Sequence, residues 1–312
     1  MIPPDHDERL ERAVTSLEGL SVGDAFGERY FTGYAEELIA ARTLPRPPWH
    51  FTDDTQMALS VYSLIRQHGA IEQDALATNF SVHYDEDRGY GDAMNRLLPM
   101  IYLTGIWRML TPRLFGGEGS FGNGAAMRVA PLGGYFADDI DKVVEQARLS
   151  AEVTHAHPEG IAGAIAVAVA AAHAWTLRRS EPPPRPEFLS LILPHVPPGQ
   201  VADGLRQARD LPTDTTAPAA ARLLGSGYNA TAQDTVPFAL WCAGTYLNDY
   251  EEALWLTVSG LGDCDTNCAI VGGIASLSTG MDGIPAAWRR AREPLPSWPF
   301  EEGQEPNDAP EP

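Results

Sequence analysis

Residues 161–177, with the sequence IAGAIAVAVAAAHAWTL, form the one strongly apolar run of the chain. The run has fewer than the roughly 20 residues that a membrane-spanning helix needs, it is rich in alanine, and His173 lies inside it. Small residues recur through this stretch, which favours helix axes that approach one another closely. We therefore expect a buried helix and no membrane association.

The segments on either side also have apolar residues at helical spacing. No segment alternates between apolar and polar residues cleanly enough to predict a strand. The sequence therefore predicts an all-α fold, a compact helical bundle, with boundaries good to about 2–4 residues. Besides helices around residues 10–20 and 57–65, we expect helices over residues 71–84, 91–103, 140–153, 158–177, 201–211, 232–247, 251–261 and 267–278.

The chain has 312 residues, of which 44% are hydrophobic and 21% are charged, as in globular proteins. Residues 181–200 contain seven prolines, which indicate a surface excursion because proline cannot donate to a helix ladder. Residues 294–312 are acidic and rich in proline, with little apolar material to bury. We predict a single all-α domain over residues 1–293, followed by a mobile acidic tail over residues 294–312.

The charge and cysteine content exclude several classes of protein. A net charge of −20 disfavours general nucleic-acid binding, because the chain would repel a phosphate backbone. Asp5, Asp7 and Glu8 stand where a secretory signal needs basic and apolar residues, so we expect a cytoplasmic protein. The three cysteines are too few for a disulfide framework and do not have the spacing of a four-ligand zinc site.

The sharpest local feature is residues 51–55, FTDDT, just before a helical pattern. Asp and Thr at such a position cap the free N–H groups of a helix, and their charge suits the helix dipole. The alternative is a site for a hard cation, since Mg²⁺ prefers carboxylate and hydroxyl oxygens. Taken alone, the motif favours the cap.

The same residue types recur at positions 260–267, GLGDCDTN, again before a helical pattern. Two unrelated caps of the same composition are less economical than one cluster that receives oxygens from both motifs. Four carboxylates and two hydroxyls are suited to a pair of divalent ions, and without a cation they would repel one another. The two motifs together therefore predict a site for two metal ions.

Three further motifs carry candidate binding groups. Residues 116–128, GGEGSFGNGAAMR, form a glycine-dense loop that is suited to a diphosphate, although most such loops bind nothing. Arg128 at its end pairs either with phosphate or with a neighbouring helix, and we favour the helix. His155 is either a structural histidine or a ligand contact. In residues 23–28, GDAFGE, Asp24 is a candidate hydrogen-bonding group between helices, while Glu28 opens a stretch through Phe51 that is long enough for a lid.

These motifs, in this order and over about residues 10–290, resemble the ADP-ribosylglycohydrolase family, which includes dinitrogenase reductase-activating glycohydrolase and the ADP-ribosyl-acceptor hydrolases. The resemblance implies an all-α orthogonal bundle, two Mg²⁺ ions in a cleft, and hydrolysis of the bond between ADP-ribose and an acceptor. The partner would be an ADP-ribosylated protein or a small-molecule conjugate. The alternatives are a non-catalytic relative that binds ADP-ribose or metal, and a hydrolase of another N- or O-ribosyl compound.

The resemblance also assigns residues. The family's metal ligands match Thr52, Asp53, Asp54, Asp263, Asp265 and Thr266, and its ADP-ribose contacts match Gly119, Ser120, Phe121, Gly122, Asn123, Gly124 and His155. Many relatives have an acid where this chain has Phe31. Some relatives have an Asp at the position of Ser120, whereas relatives similar to the serine-linkage hydrolases resemble this chain there. Glu28 lies three residues before Phe31, so the candidate catalytic carboxylates are Glu28, Asp53 and Asp54.

Overall fold

The computed structural model describes residues 2–301 and confirms the all-α prediction. Within this range there is no β-strand, only two isolated bridges, and every predicted helix is present. The sixteen α-helices of these residues are α1 (His6–Gly27), α2 (Ala35–Ala40), α3 (Asp53–His68), α4 (Gln73–Val82), α5 (Asp92–Thr104), α6 (Trp107–Leu110), α7 (Ala130–Tyr135), α8 (Ile140–Glu152), α9 (Pro158–Leu177), α10 (Arg185–Ile192), α11 (Gln200–Asp210), α12 (Ala217–Leu224), α13 (Ala232–Thr245), α14 (Tyr250–Val258), α15 (Cys264–Thr279) and α16 (Ala286–Ala291).

Helix α9 is the buried helix that its apolar run predicts. It packs against α7, α8, α10, α11, α13 and α15, and its residues from Ala162 to Ala172 are buried without exception. By length and composition alone α9 could cross a membrane, but 72% of its most apolar window is buried inside the fold. Its small side chains allow close neighbours: a Cβ on Gly133 of α7 would lie 2.2 Å from the carbonyl oxygen of Ala168.

Helices α1 and α15 lie against each other along a stripe of glycines, and this contact positions the site described below. Gly19, Gly23 and Gly27 are four residues apart and therefore share one face of α1. A Cβ at these positions would lie 2.4 Å, 2.1 Å and 2.2 Å from the carbonyl oxygens of Gly272, Cys268 and Cys264. Because only glycine permits this approach, the end of α1 lies directly beside the beginning of α15.

The structure corrects the interpretation of residues 181–200 as a surface excursion. Helix α10 lies within this stretch, and its Phe188, Leu189 and Ile192 are fully buried. The prolines do not break the helix, because they precede it, occupy its first turn or follow it, where the missing N–H is tolerated. The inner side of this segment is therefore part of the core, while its outer side remains exposed.

The predicted mobile tail begins with a segment that packs against the helices. The ring of Trp298 stacks on His83 with centroids 3.5 Å apart, and Phe300 contacts Tyr62 at 5.4 Å. Arg66 of α3 donates to the carbonyl of Glu301. Trp298, Phe300 and Glu301 thus contact α3 and the residue that follows α4, which contradicts the prediction for this part of the tail. Residues 302–312 lie outside the described residues.

Candidate active site

The two acidic motifs form the beginnings of two helices whose N-termini meet. Thr52 caps α3, and its side chain accepts a hydrogen bond from the amide of Asp54. Asp263 occupies the N-cap position of α15. The hydroxyl of Thr266 lies 3.5 Å from Oδ2 of Asp54. The helix-cap interpretation is therefore confirmed and the two motifs lie together, while a cation between them stays a prediction.

Asp24 of α1 binds the beginning of α3 through hydrogen bonds. Its carboxylate is fully buried and accepts hydrogen bonds from the amides of Thr52, at 3.0 and 3.1 Å, and of Thr55, at 3.1 Å. The hydroxyl of Thr55 also donates to it, and that of Thr52 lies 2.9 Å from Asp24 Oδ1 and 2.8 Å from Asp54 Oδ2. Asp24 is thus the hydrogen-bonding group between helices that the sequence predicts.

The glycine-rich loop is tied to the acidic cluster through Asn123. The Asn123 side chain donates to Asp263 Oδ2 at 2.6 Å and to the hydroxyl of Thr235 at 2.9 Å. Its backbone amide donates to the carbonyl of Ala230 at 3.1 Å. This amide side chain fixes the orientation of Asp263 and joins the loop to the second acidic motif.

Residues 225–230 form a wall of the site that the sequence analysis did not identify. The carbonyl of Ser226 accepts hydrogen bonds from the Asp263 amide at 2.9 Å and from the Asn267 side chain at 2.7 Å. Gly227, at φ 82°, packs so closely that a Cβ would lie 2.4 Å from Asp263 Cβ. The only signal in the sequence is the pair of glycines around Ser226, since the contribution is made by the backbone.

Burial and mutual repulsion raise the pKa values of the clustered carboxyl groups. Burial raises the pKa of Asp53 to about 8, and the charges of Asp24 and Asp263 add to the rise. Burial also raises the pKa values of Asp54 and Asp265 well above the usual range, with further contributions from neighbouring aspartates. The pKa of Asp263 is raised by burial in spite of hydrogen bonds that lower it. A bound cation would remove this repulsion.

The donor set of this cluster suits a hard cation. Oδ1 of Asp54 is buried and has no hydrogen-bond partner, so the oxygen is free to ligate. Carboxylate and threonine oxygens are the ligand types that Mg²⁺ prefers. Among residues 2–301, no group of three or more His, Cys, Asp or Glu side chains is already arranged to hold a metal ion. The carboxyl groups instead lie against hydroxyl and amide donors, so binding would require these side chains to reorient.

Glu28 faces the same cluster from the end of α1. It is half-buried and begins the 3₁₀ turn Glu28–Tyr30. Burial raises its pKa, the charges of Asp24 and Asp263 raise it further, and Arg29 opposes them. Phe31, three residues further on, is 52% exposed. The segment between Phe31 and Phe51 carries the short helix α2, and its function as a lid stays a prediction.

The glycine-rich loop forms a second wall, and His155 supports it. The Gly122 amide donates to the buried Ser120 hydroxyl at 3.2 Å. A Cβ on Gly122 or Gly124 would lie about 3 Å from the His155 ring, so the ring lies directly against the loop. Burial, together with the charge of Arg128, lowers the pKa of His155 to about 3, so the ring is neutral. Direct contact of His155 with a substrate stays a prediction.

Gly119 and Phe121 complete this wall. Gly119 has φ 77°, and a Cβ there would lie 2.8 Å from the His157 amide. The Phe121 ring has its centroid 5.8 Å from Phe115 and 5.3 Å from His157. The structure therefore places the loop Gly119–Gly124 against His155 and, through Asn123, next to the acidic cluster, while substrate contact by these residues stays a prediction.

Arg128 is an interior structural residue, as we predict from its sequence context. It is fully buried and donates to Ser150 O at 2.8 Å, Thr154 Oγ1 at 2.9 Å and Gly124 O at 3.2 Å. Its guanidinium lies 4.5 Å from the Phe80 ring centroid. Burial lowers its pKa to about 9. Its Nη1 and Nη2 groups donate to a neighbouring helix and to the loop, in agreement with the helix-pairing interpretation.

Comparison with known proteins agrees with this arrangement of motifs. A sequence model of the ADP-ribosylglycohydrolase family matches residues 5–304. The chain belongs to this family. It is 29% identical to human ADP-ribosylhydrolase ARH3 over 341 aligned positions, which cover 91% of this chain and 90% of the relative.

Two further relatives extend the comparison. ADP-ribosyl-[dinitrogen reductase] glycohydrolase of Rhodospirillum rubrum is 26% identical, with 92% of this chain and 90% of the relative covered. A solved structure described as an ADP-ribosylglycohydrolase-related protein complex has a TM-score of 0.64 and 25% identity, and the match covers 92% of this chain and 94% of the other. The ADP-ribosylglycohydrolase fold that we predict is thus confirmed over nearly the whole chain.

Proposed function

We propose that this member of the ADP-ribosylglycohydrolase family is a Mg²⁺-dependent hydrolase that removes ADP-ribose from an acceptor by cleaving the glycosidic bond. The observation that carries the proposal is the meeting of α3 and α15, where Asp54 and Thr266 come together from opposite ends of the chain. The family match and the hydrolase names of the relatives support the reaction class.

The metal proposal rests on the donor set of the two helix N-termini. Two Mg²⁺ ions would be held by Thr52, Asp53, Asp54, Asp263, Asp265 and Thr266. Bound there, the ions would supply Lewis-acid chemistry, by which the ribose hydroxyls and a water are held and polarised. The unpartnered Asp54 Oδ1 and the raised pKa values of the cluster both support a cation at this place.

Glu28 is the residue that we propose for proton transfer. Its raised pKa brings the carboxyl group closer to neutral pH, where a general acid or base acts best. It could protonate the leaving acceptor atom or take a proton from the attacking water, while nearby Asp53 and Asp54 stabilise positive charge on the ribose. The loop Gly119–Gly124 would hold the diphosphate, with His155 as a rigid support. The amides of Gly119, Gly122 and Asn123 already donate within the protein, so other amides of the loop would make these contacts.

The substrate would be an ADP-ribosylated protein or a small-molecule conjugate in the cytoplasm. The acceptor is proposed only by class, since the acidic cluster and the glycine-rich loop would contact the ADP-ribose part of the substrate. Phe31 in place of an acid favours one alternative, a protein that binds ADP-ribose without turnover. Hydrolysis of another N- or O-ribosyl compound is the other alternative.

A panel of substrates tests the proposal. The protein is incubated with ADP-ribose linked to Arg, to Ser, to Asp or Glu, or to a nucleotide. Each incubation is done in Mg²⁺ and again after chelation, and the released ADP-ribose is measured. We expect release from at least one linkage that chelation abolishes. Glu28→Gln should lower turnover by about 10²–10⁴-fold, as expected for loss of a general acid or base, while Asp203→Asn, an exposed change on α11, should not. Binding of ADP-ribose without any release would indicate the non-catalytic alternative.

A further inference from the structure

Phe51, the residue just before the capping Thr52, is held by two charged side chains from distant parts of the chain. Its amide donates to Oε1 of Glu293 at 3.0 Å, and its carbonyl accepts from Arg88 at 2.9 Å. Arg88 and Glu293 also form an ion pair with each other. The three residues therefore close a ring in which both backbone polar groups of Phe51 are satisfied.

The aromatic side chain of Phe51 also contacts Arg88. The guanidinium carbon of Arg88 lies 3.9 Å from the Phe51 ring centroid, a cation–π contact. Phe51 itself is buried, while the side chains of Arg88 and Glu293 are only 22% and 19% exposed. A charge pair so shielded from water holds its geometry better than an exposed pair.

Backbone hydrogen bonds between the C-terminal segment and the residues before Thr52 place Glu293 beside Phe51. The Trp49 amide donates to Ala291 O at 2.7 Å, and the Glu293 amide donates to Trp49 O at 2.9 Å. Residues 49–51 are thus paired with residues 291–293, at the end of α16. Burial acts to raise the pKa of Glu293, but hydrogen bonds from Arg88, His50 and the Phe51 amide hold it below the usual value.

We propose that Arg88 and Glu293 are positioning residues, which fix Phe51 and thereby the turn that carries the candidate metal ligands Thr52, Asp53 and Asp54. Asp24 holds this turn on the inner side through Thr52 and Thr55. Arg88 and Glu293 hold it on the outer side, one residue earlier. The inference rests on the proposed metal-dependent function, because it assigns Arg88 and Glu293 to the same site.

The test is calorimetric titration with Mg²⁺ of the full chain and of Glu293→Gln and Arg88→Met. Residues that orient metal ligands typically contribute 10–100-fold to affinity, so we expect each variant to bind Mg²⁺ about tenfold more weakly. The Mg²⁺ concentration that gives half-maximal turnover should rise by the same factor. Asp203→Asn, which removes an exposed ion pair on α11, is the control and should bind as the wild type does.

A purely structural role would lower the unfolding temperature and leave Mg²⁺ affinity unchanged, and that result would overturn the inference. Should Glu293→Gln fail to fold, Arg88→Lys, which keeps the charge but loses the planar guanidinium, takes its place with the same expected and opposing results. No Mg²⁺ binding by the wild type would overturn the metal proposal as well. Binding that is equal in the wild type and the variants overturns the positioning role alone.

Discussion

Replacement of Gly23 by alanine tests the close contact between α1 and α15. In an isolated helix this change is favourable by up to about 1 kcal/mol, because alanine has the higher helix propensity. Here the new Cβ would lie 2.1 Å from the Cys268 carbonyl oxygen and 2.8 Å from its carbonyl carbon. Both are backbone atoms of α15, so no flexible side chain can move aside.

The geometry sets the size of the effect. The Cys268 carbonyl would have to withdraw by about 1.3 Å to reach an ordinary contact of 3.4 Å in a closely packed interior. Overpacking of this kind typically costs about 1–3 kcal/mol and sometimes more. An overlap of this size with backbone atoms belongs at the upper end of that range, about 3 kcal/mol. After the gain of about 1 kcal/mol in helix propensity, we expect Gly23→Ala to lower the free energy of unfolding by about 2 kcal/mol, or the unfolding temperature by about 3 °C for a chain of this size.

The assay is thermal unfolding followed by circular dichroism at 222 nm, in chelator and again in Mg²⁺. Gly33→Ala is the control, because Gly33 has no atom within 4 Å of a Cβ and no positive φ, and its effect should stay within about 0.5 kcal/mol. In Gly23→Ala, the stabilisation by Mg²⁺ should also decrease, since Asp24 follows directly in sequence. An unfolding temperature equal to or above that of the wild type would refute this account of the α1–α15 contact.

Two further predictions concern stability. Phe188→Ala should cost about 3–5 kcal/mol in urea unfolding, whereas Leu191→Ala, on the exposed side of α10, should cost about 0.5 kcal/mol or less; equal losses would contradict a core position for this helix. The pKa of His155 is about 3 in the folded state, below its unfolded value of 6.5. The contribution of the neutral ring to the free energy of unfolding is therefore complete above pH 6.5 and is lost as the pH falls. Below that pH the wild type should lose up to about 1.4 kcal/mol per pH unit relative to His155→Gln, and a difference that stays constant from pH 7 to 5 would show that His155 is not buried in its neutral form.

The long helices could be predicted from the sequence because several turns of apolar spacing identify each of them. The helices α2, α6, α7, α12 and α16 have eight residues or fewer, which is too short for a clear period. Helix α10 could not be predicted because its segment is rich in proline, and the number of prolines does not show that they lie at the helix boundaries. Tertiary packing of Phe188 and its neighbours decides that segment.

The meeting of the two acidic motifs could be predicted from chemistry, because Asp54 and Thr266 carry matching oxygen ligands in otherwise unrelated segments. The other contributors have no such signal. Ser226 acts through its carbonyl, which every residue possesses, and Glu293 acts on the Phe51 backbone from a segment that was expected to end the domain. Contacts made by backbone atoms depend on the fold and cannot be predicted from residue type.

The most direct test of the metal centre is calorimetric titration of Mg²⁺ into the wild type, Asp54→Asn and Asp265→Asn, each confirmed to be folded by circular dichroism. Asp54 belongs to the first acidic motif and Asp265 to the second, and Asn keeps the size of the side chain while it removes the charge. We predict saturable binding to the wild type and its loss in both variants. Binding that is absent from the wild type, or that survives unchanged in either variant, would contradict a cation site shared by the two motifs.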